Sequence, residues 1–129
     1  MVVVNIYRCN ERTSIHFTNK ASTCQVNLLK YIIYSLDIPR IRKGPPSSFT
    51  AKEGSNVSFP CSSKGFPKPE ITWYKNNQKL DSNLYNAVTG VLTFPSIQFG
   101  DRGLYRCEAK NFLGFDSTTV KIVVEGIKN

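Results

Sequence analysis

The sequence has no long run of apolar residues. Its longest apolar-rich stretch, Val26–Ile38, is interrupted by Lys30 and Asp37, whereas a helix that crosses a bilayer needs about 20 apolar residues. We therefore expect no transmembrane helix in this chain. The N-terminus also lacks the basic lead of a secretory signal, and Arg8 interrupts before an apolar core can develop. We expect that an exported form would take its signal from sequence that precedes this chain.

Residues that commonly carry chemistry are scarce. The sequence has one histidine, His16, and no serine or cysteine arrangement around it suggests a nucleophile with its base. Cys9, His16 and Cys24 are loosely spaced and lack the fourth ligand of a zinc site. The segment Gly100–Gly103 is typical of a turn and is not a phosphate-binding loop. We therefore predict no catalytic residues, no cofactor and no metal site.

Acidic residues are few compared with basic ones. Nine Asp and Glu residues against seventeen Lys and Arg residues give a net charge of +8. Such a charge favours association with polyanions but does not indicate a fold. A length of 129 residues with 40% hydrophobic content fits one compact domain and argues against wholesale disorder.

Glycine and proline are absent before Pro39. All eight glycines and all seven prolines lie between Pro39 and Gly126, where they separate short runs of alternating apolar residues. Alternation with a period of two is typical of strands that bury one face. The predicted strands are Ser55–Ser62, Glu70–Lys75, Val91–Phe94, Leu104–Lys110 and Ser117–Val124. Short strands separated by turns predict an all-β fold, either an antiparallel sandwich or a barrel.

Two cysteines and a tryptophan fall at the inward phase of these strands. Cys61 and Cys107 lie on separate strands, Trp73 lies between them in sequence, and Tyr105 stands two residues before Cys107. The surrounding positions read Glu53-Gly54, Gly65-x-Pro67-x-Pro69-x-Ile71-x-Trp73-x-Lys75-Asn76, Leu92-x-Phe94, Asp101-x-Gly103-x-Tyr105-x-Cys107 and Ala109-x-Asn111-x-x-Gly114. In this order the set resembles the immunoglobulin superfamily, and in detail the I-set type of domain.

The resemblance implies an immunoglobulin-like sandwich of two antiparallel sheets over residues 38–126, followed by a short tail, 127–129. It implies a Cys61–Cys107 disulfide between the sheets. It also implies a structural core signature, which consists of Trp73, Leu92, Asp101, Gly103 and Tyr105. Gly114 is expected in a left-handed conformation in the last hairpin.

Two features depart from the I-set pattern. The basic residue that usually pairs with the aspartate of the Asp-x-Gly-x-Tyr motif is missing from residues 83–88. Asp101 therefore either caps its turn through backbone amides or has another partner. The extension 1–37 matches no part of the domain, and two interpretations of it stay open. It is either poorly ordered or arranged around a helical apolar face, formed by Leu29, Ile32, Ile33 and Leu36.

The resemblance also implies a non-catalytic protein-recognition module, part of a multidomain adhesion, receptor or extracellular-matrix protein. The triplet Asn56-Val57-Ser58 is an N-glycosylation acceptor, and its strand phase points Asn56 outward. Together with the cysteine pair, this acceptor favours an extracellular or cell-surface location. The alternative is an intracellular structural module, similar to the I-set repeats of giant muscle filament proteins, in which the cysteines stay reduced.

Two surfaces are candidates for partner binding. One is a basic face predicted from strand phase and a nearby turn, which consists of Tyr74, Arg106, Lys110 and Lys121 with Lys64 and Lys68. This face either binds a sulfated glycan such as heparan sulfate or is simply solvated. The other is Phe112-Leu113 at a hairpin tip, which either contacts a protein partner or packs against the sandwich. Nucleic acid is a poorer candidate, because the aromatic residues lie mostly at inward phase.

Overall fold

The computed structural model describes residues 35–126. The hypotheses about Cys9, His16, Cys24 and the earlier part of the helical face fall outside this range. The described segment contains the strands β1 (Asp37–Lys43), β2 (Ser48–Lys52), β3 (Val57–Phe59), β4 (Ser62–Phe66), β5 (Glu70–Lys75), β6 (Gln78–Lys79), β7 (Leu92–Phe94), β8 (Gly103–Asn111) and β9 (Gly114–Glu125), with a 3₁₀ turn at Phe99–Asp101.

The strands form two layers. One layer is a five-stranded sheet with the order β2-β9-β8-β5-β6, in which β2 pairs with β9 in parallel and the other neighbours are antiparallel. The opposite layer consists of the antiparallel pairs β1–β4 and β3–β7. Between β3 and β4 the chain leaves the strand at Pro60, a residue that has no N–H to donate to a ladder. The all-β fold predicted from alternation and the sandwich implied by the resemblance are confirmed.

The core lies between the layers around the disulfide. Cys61 and Cys107 are bonded, with their Cα atoms 6.6 Å apart, as the resemblance implied. Trp73 is fully buried, and its indole Nε1 donates a hydrogen bond of 2.8 Å to the carbonyl oxygen of Gly90. Edge-to-face aromatic contacts extend the core. Phe49 packs against Phe59, Phe59 against Phe94, and Phe94 against Tyr105, with centroid distances of 5.3–6.3 Å.

Asparagine residues form two of the turns. Asn76 and Asn77 both have positive φ angles, 48° and 68°, and form the turn between β5 and β6. The prediction of a left-handed conformation for Gly114 is wrong, because Gly114 is not among the residues of the described chain that have a positive φ. The β8–β9 hairpin is closed by Asn111 instead, because its Oδ1 accepts a hydrogen bond of 2.9 Å from the Leu113 amide. The turn therefore needs no glycine.

Candidate recognition surfaces

The signature residues Asp101, Gly103 and Tyr105 make structural contacts at the turn before β8. The Tyr105 hydroxyl donates a hydrogen bond of 2.7 Å to the carbonyl oxygen of Asp101. Burial, with the nearby Asp101 carboxylate, raises the pKa of the Tyr105 phenol. Asp101 Oδ2 accepts a hydrogen bond of 2.7 Å from the Gln98 amide, which is the backbone cap that was one of its two predicted roles. A Cβ at Gly103 would lie 3.2 Å from the Asn76 side chain. These contacts are structural.

The outer face of the five-stranded sheet carries part of the predicted basic surface. Tyr74 and Arg106 are paired in register, and the Arg106 guanidinium lies 4.2 Å from the centroid of the Tyr74 ring. Arg106 Nη1 also lies 3.0 Å from Glu108 Oε2, in an ion pair that is partly shielded from solvent. Lys110 stands directly opposite Glu70 on the neighbouring strand. The charge of Arg106 is therefore compensated locally, and Lys110 has an acidic residue as its cross-strand neighbour.

The predicted position of Lys64 is wrong. Lys64 lies within β4 and pairs with Arg40 of β1, in the layer opposite the five-stranded sheet. The sequence pattern missed this because β4 continues through residues assigned to a turn. Lys68 lies in the loop between β4 and β5. The six residues of the predicted basic surface are thus divided between two layers and a loop.

Phe112 and Leu113 both present apolar surface to solvent at the hairpin tip. Phe112 is 72% exposed and Leu113 is 38% exposed. The side chain of Asn111 joins this hairpin to two other segments, since its Nδ2 donates to the carbonyl oxygens of Asp37 at 2.9 Å and Pro67 at 3.1 Å. Each of the three segments carries exposed apolar side chains. We call the set the apolar end, which consists of Ile38, Phe66, Phe112, Leu113 and Phe115.

A groove at the other end of β8 was not predicted. It has a volume of about 730 Å³ and is bordered by three basic side chains, those of Lys75, Arg102 and Lys121. Lys75 ends a predicted strand and Arg102 lies in a predicted turn, and only Lys121 was included in the predicted basic face. The registers of β8 against β5 and against β9, which local sequence does not show, bring these residues together.

The glycosylation acceptor lies on the surface. Asn56 is exposed immediately before β3. Ser58 of the triplet is also exposed, and its hydroxyl lies 3.1 Å from the hydroxyl of Thr93. The polypeptide around Asn56 therefore leaves the amide side chain accessible.

The described residues contain neither a membrane-spanning helix nor a metal-binding cluster. Within residues 35–126, no helix has the length and apolar character needed to cross a membrane. The same part of the chain contains no group of three or more His, Cys, Asp or Glu side chains placed to hold a metal ion.

Comparison with known proteins gives consistent matches to this sandwich. The chain is 36% identical over 89 residues to protein turtle homolog B of Rattus norvegicus, covering 68% of this chain and 7% of that protein. It is 34% identical over 88 residues to smooth-muscle myosin light chain kinase of Gallus gallus, covering 64% and 5% respectively. It is also 39% identical over 75 residues to vascular cell adhesion protein 1 of Rattus norvegicus, covering 57% and 10%. The chain thus spans a tenth or less of these relatives' lengths.

The solved structures give the same fold. The tandem Ig repeats of Dlar match with a TM-score of 0.64 and 28% identity, over 71% of this chain and 50% of that one. The family model described as an immunoglobulin domain matches residues 38–111, which include both bonded cysteines, Trp73 and Tyr105. With that match and this geometry, the chain belongs to the immunoglobulin-domain family.

Proposed function

We propose that this domain is a non-catalytic protein-recognition module of a larger cell-adhesion, receptor or matrix protein, and that it contacts a protein partner through the apolar end. The observation that carries the proposal is the exposure of five apolar side chains, three of them phenylalanines, on three segments tied together by Asn111. Exposed large apolar side chains that are grouped in this way mark interaction sites on proteins. Aromatic side chains also supply much of the binding energy at interfaces.

The free energy of burying these phenylalanine side chains is sufficient for a specific contact. Full burial of one phenylalanine side chain contributes about 1.5–3 kcal/mol relative to leaving it exposed. Phe66, Phe112 and Phe115 are each more than half exposed, so a partner that covers them gains a large part of that energy. The hydrogen bonds of Asn111 hold the segments in place before binding, which lowers the ordering cost.

Three observations support an extracellular location. The Cys61–Cys107 disulfide belongs to an oxidising compartment, and Asn56 is accessible for glycosylation. One relative is named as a vascular cell adhesion protein. Another is a smooth-muscle kinase, which keeps the intracellular structural module as the alternative.

Site-specific photo-crosslinking tests the contact surface. A photoreactive phenylalanine analogue is placed at Phe112 in the full chain, and a matched control carries it at Val88, which is 74% exposed and is not part of the apolar end. We expect the Phe112 protein to form a discrete crosslinked product on its source cells. Excess wild-type chain should compete for that product, whereas excess Phe112→Ser chain should not. Equal crosslinking from both positions would refute recognition through the apolar end.

Peptide mass spectrometry without reduction, on protein from its natural source, tests the compartment. A glycan on Asn56 together with a peptide that joins Cys61 to Cys107 is the expected result. A bare Asn56 with both thiols free would overturn the extracellular part of the proposal and favour the intracellular module.

A further inference from the structure

The groove at the start of β8 has basic borders that the fold holds in place. The Nζ atom of Lys75 donates a hydrogen bond of 2.7 Å to the carbonyl oxygen of Gly100. The Arg102 guanidinium stacks 4.2 Å from the centroid of the Phe99 ring, and its Nη1 donates to the carbonyl oxygen of Phe99 at 3.1 Å. Each contact uses one donor and leaves other N–H groups of the same cation available. Both cations are therefore positioned in advance.

The residues that the structure describes do not neutralise the charge of the groove. Across residues 35–126, the one ion pair is that between Arg106 and Glu108, so Lys75, Arg102 and Lys121 have no carboxylate within ion-pair distance. The residues that line the groove include no aspartate or glutamate. The carboxylate of nearby Asp101 accepts a hydrogen bond from the Gln98 amide. Three uncompensated cations around one concavity favour an anionic ligand.

The floor of the groove is apolar. Leu104 is 51% exposed and Val123 is 38% exposed, and Ile122 lies between Lys121 and Val123 on β9. Leu104 stands directly opposite Lys121 in the β8–β9 register, so a cation and an exposed apolar side chain are neighbours. A sulfated glycan has charge but no aliphatic group to bury on such a floor, whereas a peptide can supply both.

We propose that this groove binds an acidic peptide segment that carries an apolar side chain. Carboxylates of the segment lie against Lys75, Arg102 and Lys121, and the apolar side chain covers Leu104 and Val123. The groove and the apolar end lie toward opposite ends of the nine-residue strand β8. Leu104 of the groove and Lys110, which pairs with Phe115, are about 20 Å apart at the usual rise of a strand. The two sites can therefore be tested separately, and failure of one leaves the other intact.

Amide chemical-shift mapping on the full chain is the test. The probes are acetylated pentapeptides with two glutamates on each side of a central leucine or serine, and a heparin-derived octasaccharide. The variants are Lys121→Glu and Leu104→Ser, with Lys110→Glu as the matched control, because Lys110 lies on the same sheet and gives the same charge change. Lys121 and Leu104 are exposed, so both changes leave the core intact.

We expect the leucine peptide to shift the amides of β8 and β9 around the groove and to leave the amides of the apolar end unchanged. Lys121→Glu should weaken binding by about fivefold or more, and Leu104→Ser should bring the leucine peptide down to the level of the serine peptide. Lys110→Glu should have an effect of less than about twofold. Binding should also fall as salt is added.

Two results would overturn the inference. If the octasaccharide gives the larger response and Leu104→Ser has no effect, the groove is a glycan site. If neither probe shifts the groove amides at millimolar concentration, the three cations form only a solvated surface.

Discussion

Substitution of Gly90 by alanine should destabilise the domain strongly. The backbone of Gly90 has a φ of +79°, and its carbonyl oxygen accepts the hydrogen bond from Trp73 Nε1. A Cβ at this position would overlap the carbonyl oxygen of Cys61 and would lie 2.9 Å from the carbonyl carbon. The methyl group therefore collides with main chain at the disulfide, where no flexible side chain can move aside.

The cost has three parts. A left-handed backbone costs alanine about 1–2 kcal/mol. The shift of packed main chain costs about 1–3 kcal/mol, and distortion of the Trp73 hydrogen bond costs up to about 1 kcal/mol. We expect Gly90→Ala to lower the free energy of unfolding by about 3–5 kcal/mol, a large share of the 5–15 kcal/mol typical of a domain.

Two other glycines provide matched controls. Gly54 has a φ of +86° but a Cβ there meets no atom within 4 Å, so Gly54→Ala should cost only the backbone part, about 1–2 kcal/mol. Gly114 has neither a positive φ nor a neighbour within 4 Å, so Gly114→Ala should change stability by less than about 0.5 kcal/mol.

Urea unfolding, followed by the fluorescence of Trp73, the single tryptophan, measures the three variants against wild type. Thermal midpoints should place Gly90→Ala about 10–20 °C below Gly54→Ala, given about 4–8 °C per kcal/mol for a domain of this size. If the two variants unfold within about 1 kcal/mol of each other, the collision with Cys61 is not felt and the steric reasoning fails.

Three further predictions concern the core and its polar contacts. Because the folded-state pKa of Tyr105 is raised above its ordinary value of 10.0, the unfolded chain releases the phenolic proton first, so stability should fall as pH rises above 10, by up to about 1.4 kcal/mol per pH unit. Tyr105→Phe should lose this extra alkaline slope in urea titrations, and an unchanged slope would contradict the assignment. Replacing both Cys61 and Cys107 by alanine should cost about 4 kcal/mol, because the bridge closes a long loop; calorimetry under non-reducing conditions should show it, and a loss below about 1 kcal/mol would count against it. Asn111→Ala should cost about 1–3 kcal/mol, because two carbonyl oxygens and the Leu113 amide lose a partner, and unaltered hydrogen exchange in the β8–β9 hairpin would refute this role.

Alternation identified the strands that bury a full face. Ile71 and Trp73 on β5, and Tyr105 and Cys107 on β8, occupy alternate buried positions, so their phase is visible in the sequence alone. The spacing of the cysteines, the tryptophan and the tyrosine then defined the family resemblance and the disulfide. Local pattern succeeds here because each strand faces one continuous core.

The edge strands could not be recognised in this way. β1 buries only Pro39 fully among seven residues and shows no clear period. β2 alternates, with Phe49 partly and Ala51 fully buried, but it has only five residues. Without β1, the pairing that places Lys64 in a strand was invisible. The β2 strand also joins the sheet in parallel through a contact with β9 that is distant in sequence.

The candidate sites were predicted unevenly for a similar reason. The unusual Phe112-Leu113 pair is visible locally, and its exposure supports the interpretation as a contact. Its neighbours at the apolar end are brought in by the Asn111 hydrogen bonds from remote segments. The ion pair of Arg106 with Glu108 was within reach of sequence reasoning, since residues two apart on a strand share a face. The groove was not, because it depends on the registers of β8 against β5 and β9.

The position of the disulfide also limits how far the domain can stretch under load. Cys61 and Cys107 are separated by 46 positions, and an extended chain gains at most about 3.3–3.6 Å per residue. A pull on the two chain ends could peel away β1, β2 and β9 but would leave roughly 150 Å of contour length closed in a covalent loop. Reduction of this one bond would therefore more than double the length that the unfolded domain can release. Oxidised copies in series would act as short tethers with a fixed limit of extension.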